Sequence, residues 1–446
     1  MSKTNQHQDD EYARWQAVGS EASYLQAGEP TRGPSRVSFP PGIHSNSSTE
    51  VQPGQPEEFR GLWVTRWDYS TADDIRRMAD QASNANFNVL LFQVRGNADA
   101  YYNSALEPWA ARLTGTLGAD PGWDPLAVAI EEAHDRGLEL HAWLNGYPAW
   151  LGETPPPEAD PEPIYHRFNR LYGDNWVMWN RDQEPMPLSK DYLWANPAHW
   201  AVNEHIIAVC RDLLTRYYLD GIHLDHARYA SWEYSQDPLT LDRVAQNRSV
   251  DPGIDHKEFQ RQQINGLVAG IHDAIDDLKP GLLLSAAVWP VYQDTWDWWQ
   301  KGDGFDGFCQ DSIGWLNQWL VDAICPMLYL TSITQDDDQF ETLVRDFVAR
   351  ANDNPVFPGI TATYSDFDRI AKRIDIVRQA GARGQALFAY EHVDKRKYWD
   401  AFRKGPFATP AVVLPPYRTR KYVSGRLRIE GLVEEIQEKE TALMKN

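Results

Sequence analysis

The chain has 446 residues, 42% of them hydrophobic, enough for one barrel-sized core or for two or three smaller ones. Its 43 Lys and Arg against 64 Asp and Glu leave a formal charge of −21, which argues against nucleic acid and anionic membranes as partners. The three cysteines, Cys210, Cys309 and Cys325, lack any CxxC or zinc-ligand spacing, and no run of about 18 apolar residues offers a membrane span.

Residues 1–57 are polar and rich in Pro, Ser and Gly, and they read as a flexible N-terminal arm. The opening "MSKTNQHQDDEYARWQ" has no apolar signal core, so the expected location is cytoplasmic for the sequence as it stands, or exported if a signal segment was removed. From 58 to 405 the grammar changes to short apolar strands alternating with amphipathic helices. Strands are expected at 60–66, 88–95, 139–145, 220–226, 282–289, 323–329, 356–362 and 385–391. Helices are expected near 71–85, 124–137, 197–217, 259–279, 312–320, 339–351, 365–380 and 394–403. Ser70 or Thr71, Asp124-Pro125 and Asn196-Pro197 supply start signals, and Gly137 a stop. Residues 406–446 read as an extended strap followed by a charged helix.

Eight strand–helix units in strict alternation predict an α/β fold, a (β/α)8 TIM barrel. A doubly wound sheet is the alternative, but "TRWDYST" after the first strand is no Gly-rich phosphate turn. Helix-to-strand connections are short, whereas the strand-to-helix segments 96–123, 146–196 and 227–258 are long. In a barrel these all emerge at the C-terminal face, where sites are built.

Period two then selects candidate site residues at the strand ends. These are Arg66 and Asp68, then Gln93, Arg95, Asn97 and Asp99, then His141, Trp143 and Asn145. His223 and Asp225 follow, with Arg228 and Tyr229 just beyond, then Trp289, Tyr329 and Glu391. On this parity His141 and His223 line the barrel mouth beside Asp225, while His226 turns away. Nineteen tryptophans, many in loops, add flat aromatic faces suited to sugar rings.

Hydrolysis of a glycosidic bond needs two carboxyl groups. Asp225 is the principal candidate, held ionised by a cation such as Arg95 or Arg228. The acid is then a drier carboxyl, Glu391 first and Asp99 second, with Asp68 also possible; the competing reading of Glu391 is an ion pair with Lys395 or Arg396. A metal is not expected, because the first strand has no His-x-His pair and strands five to seven no histidine; no cofactor is expected. The expected partner is an oligo- or polysaccharide, and the alternative is a barrel that binds carbohydrate without cleaving it.

The chain resembles glycosyl-hydrolase-like family ten, a bacterial family, across roughly residues 57–405. The resemblance is carried by "FRGLWVTRWD", "FNVLLFQVRGNADAYYNSALEPWAARLTGTLGADPGWDPL", "AIEEAHDRGLELHAWLNGYPAW", "YYLDGIHLDHARY" and "ICPMLYL". It implies a TIM barrel acting on a polysaccharide, in some relatives bacterial cell-wall glycan. It also implies Gln93, Arg95, Asn97, Asp99, His141, Trp143, Asn145, Asp225 and Tyr229 as site positions. Members commonly have proline where this chain has Gly96 and Gly146, and aspartate or arginine where it has His226.

Overall fold

The computed structural model describes residues 55–250, 253–298, 302–329, 334 and 336–413. Apart from 55–57 and 406–413, the expected arm and strap lie outside the described residues.

Eight strands are parallel: β1 (Phe59–Val64), β2 (Val89–Arg95), β3 (Glu139–Asn145), β6 (Gly221–Asp225), β7 (Leu283–Val288), β8 (Ala323–Pro326), β9 (Gly359–Thr361) and β10 (Gly384–Phe388). They form one sheet in the order β8-β7-β6-β3-β2-β1-β10-β9. A parallel bridge from Ile324 to Val356, with the Phe357 N–H donating to the Ile324 carbonyl at 2.9 Å, brings the two edges together. The result is a nearly closed TIM barrel with helices between its strands. Inside the long segment 146–196, expected to be loop, the structure adds an antiparallel hairpin, β4 (Pro148–Gly152) and β5 (Ser189–Trp194).

Local chemistry sets most helix ends. Thr71 and Asp74 form a reciprocal capping box, and Asp124 caps the helix that starts with Pro125. Asn196 behaves differently: its side chain accepts the Ala198 N–H at 3.0 Å, and the helix begins only at Trp200. The expected last helix is two, Tyr390–Arg396 and Trp399–Lys404, separated at Lys397, whose φ of 59° is left-handed.

Period two divides each strand between two cores. Phe59, Trp63, Val89, Leu91, Trp143, Ala323, Cys325, Phe357 and Ala386 fill the barrel interior. Their opposite-parity neighbours, among them Leu62, Val64, Leu90, Phe92, Leu140, Ile222 and Leu224, pack outward in the larger cluster shared with the helices. Inside, the Phe59 and Phe357 rings stack at 4.0 Å and 4°, near the seam where the barrel closes. Among the described residues, no helix is long and apolar enough to cross a membrane.

Removing that stacked ring should leave a cavity that rigid strands cannot collapse into. Phe59→Ala is therefore expected to lower the free energy of unfolding by about 3–5 kcal/mol in a urea titration. A loss below about 1 kcal/mol would contradict this view of the seam.

Candidate active site

An open pocket lies at the C-terminal mouth of the barrel. Trp63, Trp143 and Ala287 contribute apolar surface to it, and Asp225 and His226 come from the end of β6. Thr65, Arg66 and Trp67 follow β1, while Gln93 and Asn145 come from β2 and β3. The hairpin contributes Tyr192 and Trp194, and Met327, Tyr329 and Phe388 complete the lining. Asp225 is the one carboxylate among these residues.

The register explains which side chains reach this level. Trp143 pairs with His223, and Asn145 pairs with Asp225, one step nearer the mouth. Asn145 is tightly held: its Oδ1 accepts from Trp143 Nε1 at 3.1 Å and from Gln93 at 3.4 Å, and its Nδ2 donates to the Gly96 carbonyl at 3.0 Å.

His223 lies one layer below the pocket and does not line it. Its Nε2 accepts from Trp63 Nε1 at 3.0 Å, and its Nδ1 meets the Ser285 hydroxyl at 2.8 Å. Burial pushes this imidazole down to about 3, so it is neutral at physiological pH. His141 sits deeper still, facing Gly221, where an added Cβ would lie 2.5 Å from its ring. It meets Glu139 at 3.1 Å, at the N-terminal end of β3. The expectation that both histidines line the mouth is corrected: they are inward-facing, as parity required, but too early along their strands.

His226 is the opposite correction. Parity turned it away from Asp225, yet it lines the pocket. Its φ of 52° leaves the strand conformation, so the alternation no longer applies. Its backbone N–H donates to Asp225 Oδ1 at 2.6 Å, and its Nδ1 lies 3.3 Å from the same oxygen. Burial alone would raise the Asp225 carboxyl, but the charge and hydrogen bonds of His226 outweigh it and hold the group below the usual carboxylate range. His226 is thus the neighbour that lowers the Asp225 carboxyl most.

The expected cations therefore serve elsewhere. The β2–β3 pairing slips between Gln93 and Arg95, and this irregularity aligns Arg95 with the outward-facing Leu144. Its guanidinium grips Glu107 through both carboxylate oxygens at 2.7–3.0 Å and donates to the carbonyls of Asn145 and Gly146. Glu107 in turn meets His205 Nε2 at 2.9 Å. Burial works against the Glu107 anion, but Arg95 and His205 bring its carboxyl down to about 2. Arg95 thus braces the segment carrying Asn145 instead of lining the pocket. Arg228 is enclosed by the rings of Trp194, Trp289 and Phe308 at 5.0–5.2 Å, Tyr229 is buried in the outer core, and Trp289 lies against Phe308.

The remaining carboxyls differ in setting. The eighth strand ends at Phe388, and Glu391 stands on the following helix with its side chain 59% exposed and 3.9 Å from Lys395. The expectation of a dry Glu391 is overturned. Asp99 is buried; burial raises its carboxyl while Arg66 opposes the rise, and its Oδ1 accepts the Asn97 N–H at 3.0 Å. Asp68 lies behind Thr65, accepting its N–H at 2.6 Å and its hydroxyl at 2.9 Å. Burial pushes the Asp68 carboxyl up to about 7, with Glu391 adding to the rise and Arg112 opposing it. Asp68, Asn97 and Asp99 are not among the residues that line the pocket. Of the expected residues, Arg66, Gln93, Trp143, Asn145, Asp225 and Tyr329 do line it. Tyr192 and Trp194 were missed, although their same-parity spacing inside "KDYLW" is a strand signal.

Among the described residues, no group of three or more His, Cys, Asp or Glu is placed to hold a metal ion.

The family model described as Glycosyl hydrolase-like 10 matches residues 58–357. Glycosyl hydrolase DigH of Escherichia coli (strain K12) is 25% identical over 326 residues, covering 66% of this chain and 70% of that protein. Glycosyl hydrolase YngK of Bacillus subtilis (strain 168) is 26% identical over 260 residues, covering 57% of this chain and 48% of that protein. In structure, the PgaB (BpsB) glycoside hydrolase domain from Bordetella bronchiseptica aligns with a TM-score of 0.57 at 14% identity, over 80% of this chain and 100% of that one. The catalytic domain of β-amylase from Paenibacillus polymyxa aligns with a TM-score of 0.55 at 8% identity, over the same shares. At these identities the structural likenesses establish the barrel fold.

The neutral His223 carries a pH signature. The unfolded chain protonates this imidazole near pH 6.5 and the native protein only near 3, so stability is lost as pH falls through that window. Between pH 7 and 4 the wild type is expected to lose about 3 kcal/mol more than His223→Gln, measured by urea unfolding at each pH. Equal losses would show that the native imidazole takes up a proton freely.

Proposed function

We propose that this chain, which belongs to the glycosyl hydrolase-like 10 family, hydrolyses the glycosidic bonds of a polysaccharide with Asp225 as its principal carboxylate. The observation that carries the reading is a carboxylate held ionised by His226 in a pocket lined mainly by aromatic rings and neutral hydrogen-bonding groups, with the Arg66 guanidinium at its β1 side. Trp63, Trp67, Trp143, Tyr192, Trp194 and Tyr329 offer faces and edges to sugar rings. Gln93 and Asn145 offer amides to hydroxyl groups.

An ionised carboxylate stabilises the positive charge that develops on the sugar at the transition state, and it either attacks the anomeric carbon or takes a proton from the attacking water. The leaving oxygen needs a protonated acid. Asp68 suits that role better than Glu391, because its carboxyl is raised to about 7 and sits behind Thr65, a pocket residue. Asp99 is buried and does not line the pocket. Bacterial cell-wall glycan is the polysaccharide favoured by the family resemblance.

A second reading, a barrel that binds glycan without cleaving it, is favoured by Asp225 being the one carboxylate among the described residues that line the pocket. The two readings separate on a panel of glycans that includes peptidoglycan stripped of its peptides. Hydrolysis by the wild type, lost in Asp225→Asn while affinity persists, supports the enzyme; affinity with no turnover by the wild type supports the binding barrel.

If Asp68 is the acid, kcat/KM should fall as pH rises through about 7, and as pH drops through the lowered Asp225 value. Asp68→Asn should lower kcat by about 10²–10⁴ and remove the alkaline limb. An alkaline limb unchanged in that variant would assign the acid to another residue.

A further inference from the structure

Among the described residues that line the pocket, Arg66 is the one arginine or lysine, and it is 2% exposed. Its Nη2 donates to the Tyr192 hydroxyl at 2.8 Å. Among the described residues, its Nε and Nη1 make no hydrogen bond, and no carboxylate lies within ion-pair distance. The carboxylate that acts on it, Asp99, does so without direct contact. A guanidinium with so little exposed surface, and part of its donor fork unused within the protein, is costly to bury unless something pairs with it.

Its position depends on a missing side chain. A Cβ added to Gly96 would lie 2.7 Å from the Cζ and Nη1 atoms of Arg66. Gly96 therefore supplies the room in which the guanidinium sits beside the pocket.

We propose that Arg66, seated in the space left by Gly96, forms a subsite for a carboxylate carried by the glycan, as on a uronic acid or a lactyl ether. A planar carboxylate matches the guanidinium fork in shape as well as charge. A hydroxyl would leave the guanidinium with only the indirect attraction of Asp99. The subsite also sets direction. Arg66 follows β1 and Asp225 ends β6, with β2 and β3 between them in the sheet, so a bound anion is held at one side of the pocket, away from the ionised Asp225. The proposal rests on reading the pocket as a glycan site.

The test uses the full chain carrying Asp225→Asn, titrated calorimetrically with four probes. These are a glucuronate-containing oligosaccharide, a peptide-free muramic-acid-containing oligosaccharide, and the carboxyl-reduced form of each. At least one acidic probe is expected to bind about 10- to 100-fold more tightly than its reduced form, and the probe with the larger ratio identifies the source of the carboxylate. Adding Arg66→Gln should bring that ratio near one, and Arg66→Lys should keep part of it. Gly96→Ala, which leaves the arginine in the chain but crowds its guanidinium, should reduce the ratio as well, and covers the case in which loss of the Tyr192 bond unfolds the glutamine variant. Equal binding of acidic and reduced forms, or a preference that survives both Arg66→Gln and Gly96→Ala, overturns the subsite and leaves the glycan reading intact. Binding of none of the four overturns both.

Discussion

Register governs this molecule. In a barrel of eight parallel strands, each inward side chain must either fill the interior or emerge at the C-terminal mouth, and its place along the strand decides which. Phe59, Val89 and Ala386 fall at interior levels, Trp143 pairs with His223 one step higher, and Asn145 with Asp225 reaches the rim. Each step along the barrel axis thus changes a residue's chemistry from packing, to buried hydrogen bonding, to contact with whatever occupies the pocket. The Trp63–His223–Ser285 chain forms the middle level, a neutral polar layer that separates the apolar interior from the ionised rim.

The site is built where that regularity is broken. At the end of β2 the pairing slips, and Arg95 leaves the interior to pair with Glu107 and brace the carbonyls of Asn145 and Gly146. At the end of β6 the chain turns left-handed at His226, which brings both its N–H and its ring to the carboxylate one residue before it. The first irregularity fixes a pocket wall from behind. The second supplies the charge that keeps Asp225 ionised. The inserted hairpin then adds Tyr192 and Trp194 above the rim, so that a polar strand end becomes a lined pocket.

These departures mark how far the sequence could be read. Each of the eight barrel strands overlaps its expected span, because alternation and turn signals agree within each unit, although β8, β9 and β10 are shorter than expected. Inward-facing Gln93, Trp143, Asn145, His223 and Asp225 follow from parity alone. Parity says which face a residue takes but not at what depth, which is why His141 was placed at the mouth although it sits low in the barrel. Nor does it survive a slipped pairing or a positive φ, so Arg95 and His226 exchanged places between expectation and structure. Glu391 went astray by a boundary: three residues past the end of β10, it belongs to a helix and faces water. Asp68 carries no sequence signal of its raised carboxyl, because that comes from surroundings assembled across the β1 and β10 ends.

Everything proposed for the pocket turns on the charge of Asp225. A carboxylate can stabilise an oxocarbenium-like centre or activate water only if it is ionised at the working pH. The most direct measurement is the carboxyl ¹³C chemical shift of Asp225, assigned by difference from the Asp225→Asn protein and followed from pH 7 downward. The account predicts a single titration below the ordinary aspartate range of about 3.9, moving upward when His226 is replaced by phenylalanine. A midpoint near 6 or above in the wild-type protein would contradict it.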